Sequence, residues 1–364
     1  MISTYSMLSI ARKFDVEGDI LRIEPLGNGL INDTFKVVTS EGAPDYVLQR
    51  INNAIFKDVA LLQHNIEAVT SHIRAKLESA GECDIDRKVL RYVRPKESDK
   101  TWLLEDGKYW RVSVFIPGSF TREAADADNS YFAGKAFGNF EAMLADLPET
   151  LGETIPDFHN MELRSRQLKE AVAADAAGRV NDPEVQAFLK DIATYDDEMC
   201  KAERMYRDGL LPKRVCHCDT KVNNMLFDRD GNILCVIDLD TVMPSFVFSD
   251  IGDFLRNAAN TVAEDSPEID KVAFKMDTFR AFVKGYLESA SCFLTPLEKE
   301  NIPYSALLFP YMQAVRFLAD YINGDTYYKI QYPEHNLVRT RNQMALFHSA
   351  LDHLDEMTEF VNSI

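Results

Sequence analysis

Along the first third of this chain apolar residues alternate with polar ones, and along the rest they recur at three- and four-residue steps. The stretch Ile23 to Val38 reads as strand, glycine-containing turn and strand. Tyr46-Val47-Leu48-Gln49-Arg50-Ile51 reads as a third strand, reached through the turn Glu41-Gly42-Ala43-Pro44. Asp58 is placed to cap an amphipathic helix whose apolar stripe is Val59, Leu62, Ile66, Val69, Ile73 and Leu77. Strand signal returns at Val89–Val93, Trp102–Leu104 and Tyr109–Ile116, then stops at the breaker Pro117-Gly118. Beyond it, segments 130–146, 161–175, 183–208, 270–290, 296–322 and 338–362 all carry helical spacing. One β-hairpin interrupts them: an apolar-then-charged run from Val215 to Phe227, a turn at Asp228–Asn232, and a strand from Ile233 to Asp240. Residues 1–20 predict a short helix leading into a strand, with Phe14 and Val16 in the core. The layout is α+β, with a β-rich lobe over residues 1–116 and a mainly helical lobe over 117–364.

Length supports that division, since 364 residues exceed the usual single domain. A hydrophobic fraction of 46% and a charged fraction of 27% suit a globular protein with a substantial core. The net charge of -18 disfavours nucleic acid, whose binding needs Lys and Arg to displace counterions from phosphates. Cys83, Cys200, Cys216, Cys218, Cys235 and Cys292 form no Cys-x-x-Cys pair and no zinc spacing, so they read as reduced, mostly buried thiols. Residues 1–25 hold no signal-peptide pattern, and no apolar run is long enough to span a bilayer. A cytoplasmic protein with no membrane partner is therefore expected; composition does not specify its oligomeric state.

The chemistry concentrates between Val215 and Asp253. There His217, Asp219 and Asn224 share one loop at H-x-D-x-x-x-x-N spacing, and the hairpin that follows delivers Asp238. A hydroxyl is a poor nucleophile, and a carboxylate such as Asp219 can orient it and accept its proton as the bond to phosphorus forms. The amide oxygen of Asn224 and the carboxylate of Asp238 are the oxygen donors that Mg²⁺ prefers. Asp and Asn are also ordinary turn residues, and any one alone reads that way; the set in this order points to phosphoryl transfer from a metal-bound nucleotide.

His217-Cys218-Asp219-Thr220-Lys221-Val222-Asn223-Asn224 and Ile237-Asp238-Leu239-Asp240 resemble the catalytic loop and metal motif of the aminoglycoside phosphotransferase and choline kinase superfamily, itself similar to protein kinases. Gly27-Asn28-Gly29-Leu30-Ile31-Asn32, Tyr46-Val47-Leu48-Gln49, Ser249-Asp250-Ile251-Gly252-Asp253, Arg316–Tyr321 and Tyr332–Arg341 extend the likeness to the bacterial N-acetylhexosamine 1-kinases over nearly the whole chain. The resemblance implies a bilobal protein-kinase-like fold, ATP and Mg²⁺ as cofactors, and phosphorylation of the anomeric hydroxyl of a small sugar, N-acetylglucosamine or N-acetylgalactosamine. It implies Asp219 as base, Asn224 and Asp238 as metal ligands, and Arg316 and Tyr327 as sugar contacts; Arg316 is alternatively an intrahelical partner of Asp320.

Other expectations follow from that frame. Lys221 can reach the transferring phosphate, or be a solvated loop lysine. His217 fixes the loop through backbone hydrogen bonds. Gly27 and Gly29 form a lid over the phosphates, with Asn32 and Thr34 as polar contacts there or as strand-edge residues. Phe115 and Ile116 border the adenine. Protein kinases pair a strand lysine with a helix glutamate; here the strand carries Gln49, with Arg50 on the opposite face, and Glu67 on the helix faces Gln49, a metal-bound water or neither. A kinase of another acceptor (an aminoglycoside, a choline-like amine, homoserine or another sugar) and a nucleotide-binding pseudokinase are the alternatives.

Overall fold

The computed structural model describes residues 4–27, 31–122 and 126–364. Two compact units emerge: residues 1–122 with 146–156 and 223–243, and residues 123–145 with 157–222 and 244–364.

In the first unit, helix α1 (Thr4–Ala11) leads into an antiparallel sheet of β1 (Ile20–Pro25), β2 (Asp33–Thr39), β3 (Tyr46–Ile51), β4 (Tyr92–Val93), β5 (Leu103–Glu105) and β6 (Lys108–Val114). The strand order is β1-β2-β3-β6-β4, with β5 paired to β6. One face closes a core of Met7, Ile10, Phe14, Val37, Tyr46, Leu48, Trp110 and Val112, with Val16 packed against it, as the alternation predicts. Between β3 and β4 run α2 (Val59–Ser79) and the short α3 (Ile85–Lys88). Asp58 caps α2 by accepting from Leu61 N, and Val59, Leu62, Ile66, Val69 and Ile73 are buried. The same unit holds the hairpin of β8 (Met225–Phe227) and β9 (Ile233–Val236). Its turn forms at the expected residues, since Asp228 accepts from Asp230 N, Asn232 N and the Asn232 amide.

The second unit is mainly helical. It contains α4 (Ala127–Leu144), α5 (Met161–Ala174), α6 (Pro183–Met199), α7 (Lys201–Arg207), strand β7 (Arg214–Cys216), α8 (Phe248–Ala258), α9 (Met276–Ala290), α10 (Pro296–Glu300), α11 (Ile302–Ile322), α12 (His335–Leu351) and α13 (Leu354–Ser363). Strand β10 (Met243–Ser245) lies at the chain's return into this unit. Helix α11, buried almost throughout, is the hub on which α5, α8 and α12 pack. Helices α4 and α9 approach so closely that a Cβ at Gly134 would sit 2.0 Å from Phe282 O, and one at Gly285 2.1 Å from Tyr131 O. Periodicity alone ran α6 into α7, α10 into α11 and α12 into α13. The breaks fall at Cys200, at Asn301 ahead of Pro303, and at Asp352-His353, because apolar spacing continues across a turn that resets the helix axis.

Cys200, Cys216, Cys218 and Cys235 are buried free thiols, whereas Cys83 and Cys292 are exposed. Among the described residues no helix is long and apolar enough to cross a membrane.

Candidate active site

In the second unit, the chain leaves β7 into a loop whose backbone N–H groups have no strand partner and therefore need acceptors. Helix α8 supplies them. The Asp250 carboxylate accepts from His217 N and Cys218 N, both at 2.7 Å, and Asp253, one turn on, accepts from Thr220 N at 3.0 Å. Thr220 Oγ1 donates in turn to Asp250 O at 2.6 Å. The helix starts at Phe248, so both acids lie inside it and reach across to the loop. His217 is fully buried between the rings of Phe137 and Phe140, and its Nδ1 accepts from Asp219 N at 3.3 Å. Held this way, Asp219 stays half-exposed with Lys221 Nζ 2.9 Å from its carboxylate. Burial, reinforced by the Asp219 charge and opposed by Arg256, pushes the Asp253 carboxyl up to about 7.

Behind Asp250 lies Glu141 of α4, fully enclosed. Burial first, and then the Asp250 charge, drives its carboxyl well above the usual carboxylate range. Tyr286 of α9 donates to Glu141. Glu141, Cys216 and Asp250 place candidate ligand atoms within 4.8 Å of one another. Yet Asp250 is engaged by two N–H groups, and burial raises the Cys216 thiol well above its usual range, which disfavours the cluster as a metal site. Glu141→Gln, a neutral isostere, is accordingly expected to match the wild type in chemical denaturation. Glu141→Ala, which strands Tyr286 and Asp250, is expected to lose about 1–3 kcal/mol.

Asn224 and Asp238 belong to the first unit, which the chain enters between Val222 and Asn223. Ile237 N donates to Asn224 O at 2.9 Å, making the two candidate ligands neighbours. Asn224 is buried and Asp238 exposed; amide and carboxylate oxygens together fit a hard divalent cation. The expected strand through Asp240 ends at Val236, and Asp238 sits past it at φ +60°, in a left-handed conformation uncommon for a non-glycine residue.

The sheet brings several candidates together. Gln49 lies opposite Thr34 on β2 and Arg111 on β6. It donates to Thr34 Oγ1 at 3.2 Å and accepts from Arg111 Nε at 2.9 Å. Glu67 accepts from Thr101 Oγ1, which also takes a 2.9 Å bond from Gln63, so the helix acid is tied to Thr101 rather than to Gln49. Arg50, on the other face, pairs with Asp33. Asn32 donates to Asp240 Oδ2 at 2.6 Å and accepts from Asn52 N at 2.9 Å. Gly27 turns at φ +69°, which suits glycine, and Gly29 lies outside the described residues. Phe115 N donates to Asp45 O, and Ile116 O accepts from Ser119.

In the second unit Arg316 bonds Gln313 Oε1 at 2.7 Å and lies over the rings of Phe158 and Tyr328. The ion pair with Asp320 does not form. Asp320 accepts instead from Thr326, Tyr327 and Tyr328 N, shaping the loop that sets Tyr328 against Arg316 with the exposed Tyr327 ring beside it.

A family model described as the phosphotransferase enzyme family matches residues 22–282. The chain belongs to that family. Solved structures share the fold at low identity. An aminoglycoside phosphotransferase from Alicyclobacillus acidocaldarius aligns at TM-score 0.63 and 14% identity, over 97% of this chain and 96% of its own. A choline/ethanolamine kinase family protein from Mesorhizobium loti gives 0.58 and 14%, over 94% and 92%. An ADP-bound aminoglycoside phosphotransferase gives 0.52 and 14%, over 94% and 98%. The fold is thus kinase-like, an antiparallel sheet followed by helices.

Three polar residues of this phosphotransferase escaped the sequence reading: Arg111, Asp240 and Glu141. Arg111 and Asp240 form an ion pair at 2.6 Å with both side chains buried. Arg111 and Glu141 each had one faint signal, a lone charge between apolar neighbours, Trp110-Arg111-Val112 and Phe140-Glu141-Ala142, whereas Asp240 showed only as the second acid of the metal motif.

Proposed function

We propose that this phosphotransferase is an ATP- and Mg²⁺-dependent kinase that phosphorylates the anomeric 1-hydroxyl of an N-acetylhexosamine. Asp219 orients the hydroxyl and takes its proton, and Lys221, paired with it at 2.9 Å, balances charge beside the reacting groups. Asn224 and Asp238 hold the cation. When bound, Mg²⁺ neutralises charge on the nucleotide phosphates. The choice of ATP is supported by the ADP-bound relative and by family membership.

The observation that supports a sugar acceptor is Arg316. Burial together with the Arg316 charge pulls Arg164 down to about 10. A guanidinium laid on two aromatic rings suits the hydroxyls and apolar face of a sugar, and its positive field opposes a choline-like amine or an aminoglycoside. A coupled ADP-release assay over N-acetylhexosamines, hexoses, homoserine, amines and aminoglycosides tests the reading. ADP release with N-acetylhexosamines, and little with cationic acceptors, is expected. Turnover of amines or aminoglycosides alone overturns the acceptor, and silence on every acceptor with ATP still bound makes the protein a pseudokinase.

A further inference from the structure

The strand position that carries a phosphate-binding lysine in protein kinases holds Gln49 here, and Gln49 is bonded to an arginine on the next strand. We propose that Arg111 and Asp240 form a buried positioning pair that sets the Asp238 carboxylate for a divalent cation, with Asn32 as its outer brace; this rests on the kinase reading above.

Arg111 is 1% exposed, so it is placed to support rather than to touch a nucleotide. Its fork is engaged on each side: Nη1 meets Asp240 Oδ1 at 2.6 Å and Gln63 Oε1 at 3.1 Å, and Nε meets Gln49 Oε1 at 2.9 Å. The Tyr92 ring lies 5.6 Å away. Burial alone would pull the guanidinium down, yet Asp240 and Tyr92 more than offset it, and Arg111 remains charged.

Asp240 is held from three directions. Arg111 takes one carboxylate oxygen, Asn32 Nδ2 the other at 2.6 Å, and Thr154 Oγ1 donates to its main-chain oxygen at 2.9 Å. Asn65 Nδ2 continues the bracing by donating to Val242 O at 2.9 Å and Gly152 O at 2.7 Å. On the other side of Asp238, Ile237 N is fixed to Asn224 O. The backbone is therefore pinned just before and just after Asp238, the one residue of the turn at φ +60°. Asp adopts this conformation more readily than most residues, and the flanking bonds fix it here. The arrangement also divides the two acids of the motif: both Asp240 oxygens face protein donors in the interior, while Asp238 lies at the surface. Groups that orient a metal ligand without touching the metal commonly change metal affinity when removed.

The test is binding of a fluorescent ATP analogue to the full chain, titrated with Mg²⁺, with thermal melting recorded in parallel. Arg111→Lys keeps the charge and loses the fork, and is expected to raise the half-saturating Mg²⁺ concentration roughly tenfold. Asn32→Ala removes the outer brace on Asp240 together with the acceptor of Asn52 N, at a partly exposed site, and is expected to raise it roughly threefold. Binding of the analogue in EDTA should be unchanged in both. Lowered melting with an unaltered Mg²⁺ requirement overturns the inference, because the pair is then structural only. Weakened binding in EDTA overturns it as well, since Arg111 then serves the nucleotide directly. If Arg111→Lys does not fold, Asn32→Ala decides by the same criteria. A wild type that binds no nucleotide at any Mg²⁺ concentration overturns the kinase reading and this inference together.

Discussion

Asp219→Asn is expected to lower phosphoryl transfer by roughly 10²–10⁴-fold, the usual contribution of a general base. Nucleotide binding should stay within a few-fold of wild type. The substitution removes a negative charge and a proton acceptor while preserving the shape of the side chain. The loop around it is held by groups the substitution leaves in place: Asp250 on His217 N and Cys218 N, Asp253 on Thr220 N, and the buried His217 ring. The loss therefore isolates the carboxylate. Lys221 sharpens the test, because its ammonium lies 2.9 Å from Asp219 and loses its counter-charge in the variant. Lys221→Met should lower the maximal rate with a smaller effect, since it removes charge balance rather than the acceptor of the proton. Steady-state rates at saturating ATP, with binding of the ATP analogue measured separately, check both. Turnover of Asp219→Asn within tenfold of wild type sinks the base assignment.

Local features were legible in the sequence where one short-range rule governs them. Asp58 caps α2 because a side-chain oxygen meets an N–H three residues on, and Asp228 closes its turn for the same reason. Alternation placed Phe14 and Val16 at the core and Arg50 on the face opposite Gln49. His217 and Asp219 do share the loop after β7, whereas Asn224 closes a short 3-10 turn and belongs to the first unit. What escaped depends on pairings between residues far apart in the chain. The partner of Gln49 is set by the β3–β6 register, sixty-two residues away, and nothing near Gln49 announces Arg111. An acid near a helix start commonly acts as its cap, and only the folded arrangement shows the orphan N–H groups of the loop that claim Asp250 and Asp253. Glu141 lies on a periodic helix whose charge looks like a solvated one until Tyr286 and Asp250 enclose it. Arg316 and Asp320 have the spacing of an intrahelical pair, yet three backbone N–H groups from one loop outcompete a single guanidinium for Asp320.

Arg111→Met is expected to cost about 3–5 kcal/mol of stability, the range seen when one member of a buried ion pair is removed. The reason is the charge left behind. Asp240 is 3% exposed, and without Arg111 its remaining side-chain partner is the Asn32 amide, which cannot neutralise it. Gln49 and Gln63 also each lose a donor. Removing both charges is a different operation: Arg111→Met with Asp240→Leu leaves no buried ion, and replacing such a pair by apolar residues of similar volume is often close to neutral. The double variant should therefore recover more than half of the loss, and fall short of wild type because the two glutamines stay under-bonded. Urea unfolding followed by tryptophan fluorescence reports on the right region, since Trp102 and Trp110, the only tryptophans of the chain, both lie in the first unit and Trp110 precedes Arg111 on β6. A single variant losing less than about 1 kcal/mol means that Asp240 finds compensation elsewhere, because an uncompensated buried charge costs more than that. A double variant as unstable as the two singles summed means that the charges are not coupled. Recovery of stability without recovery of Mg²⁺-dependent nucleotide binding would divide the two tasks of the pair, since apolar packing can replace an ion pair in holding the fold but cannot hold the Asp238 turn in place through Asp240 and Asn32.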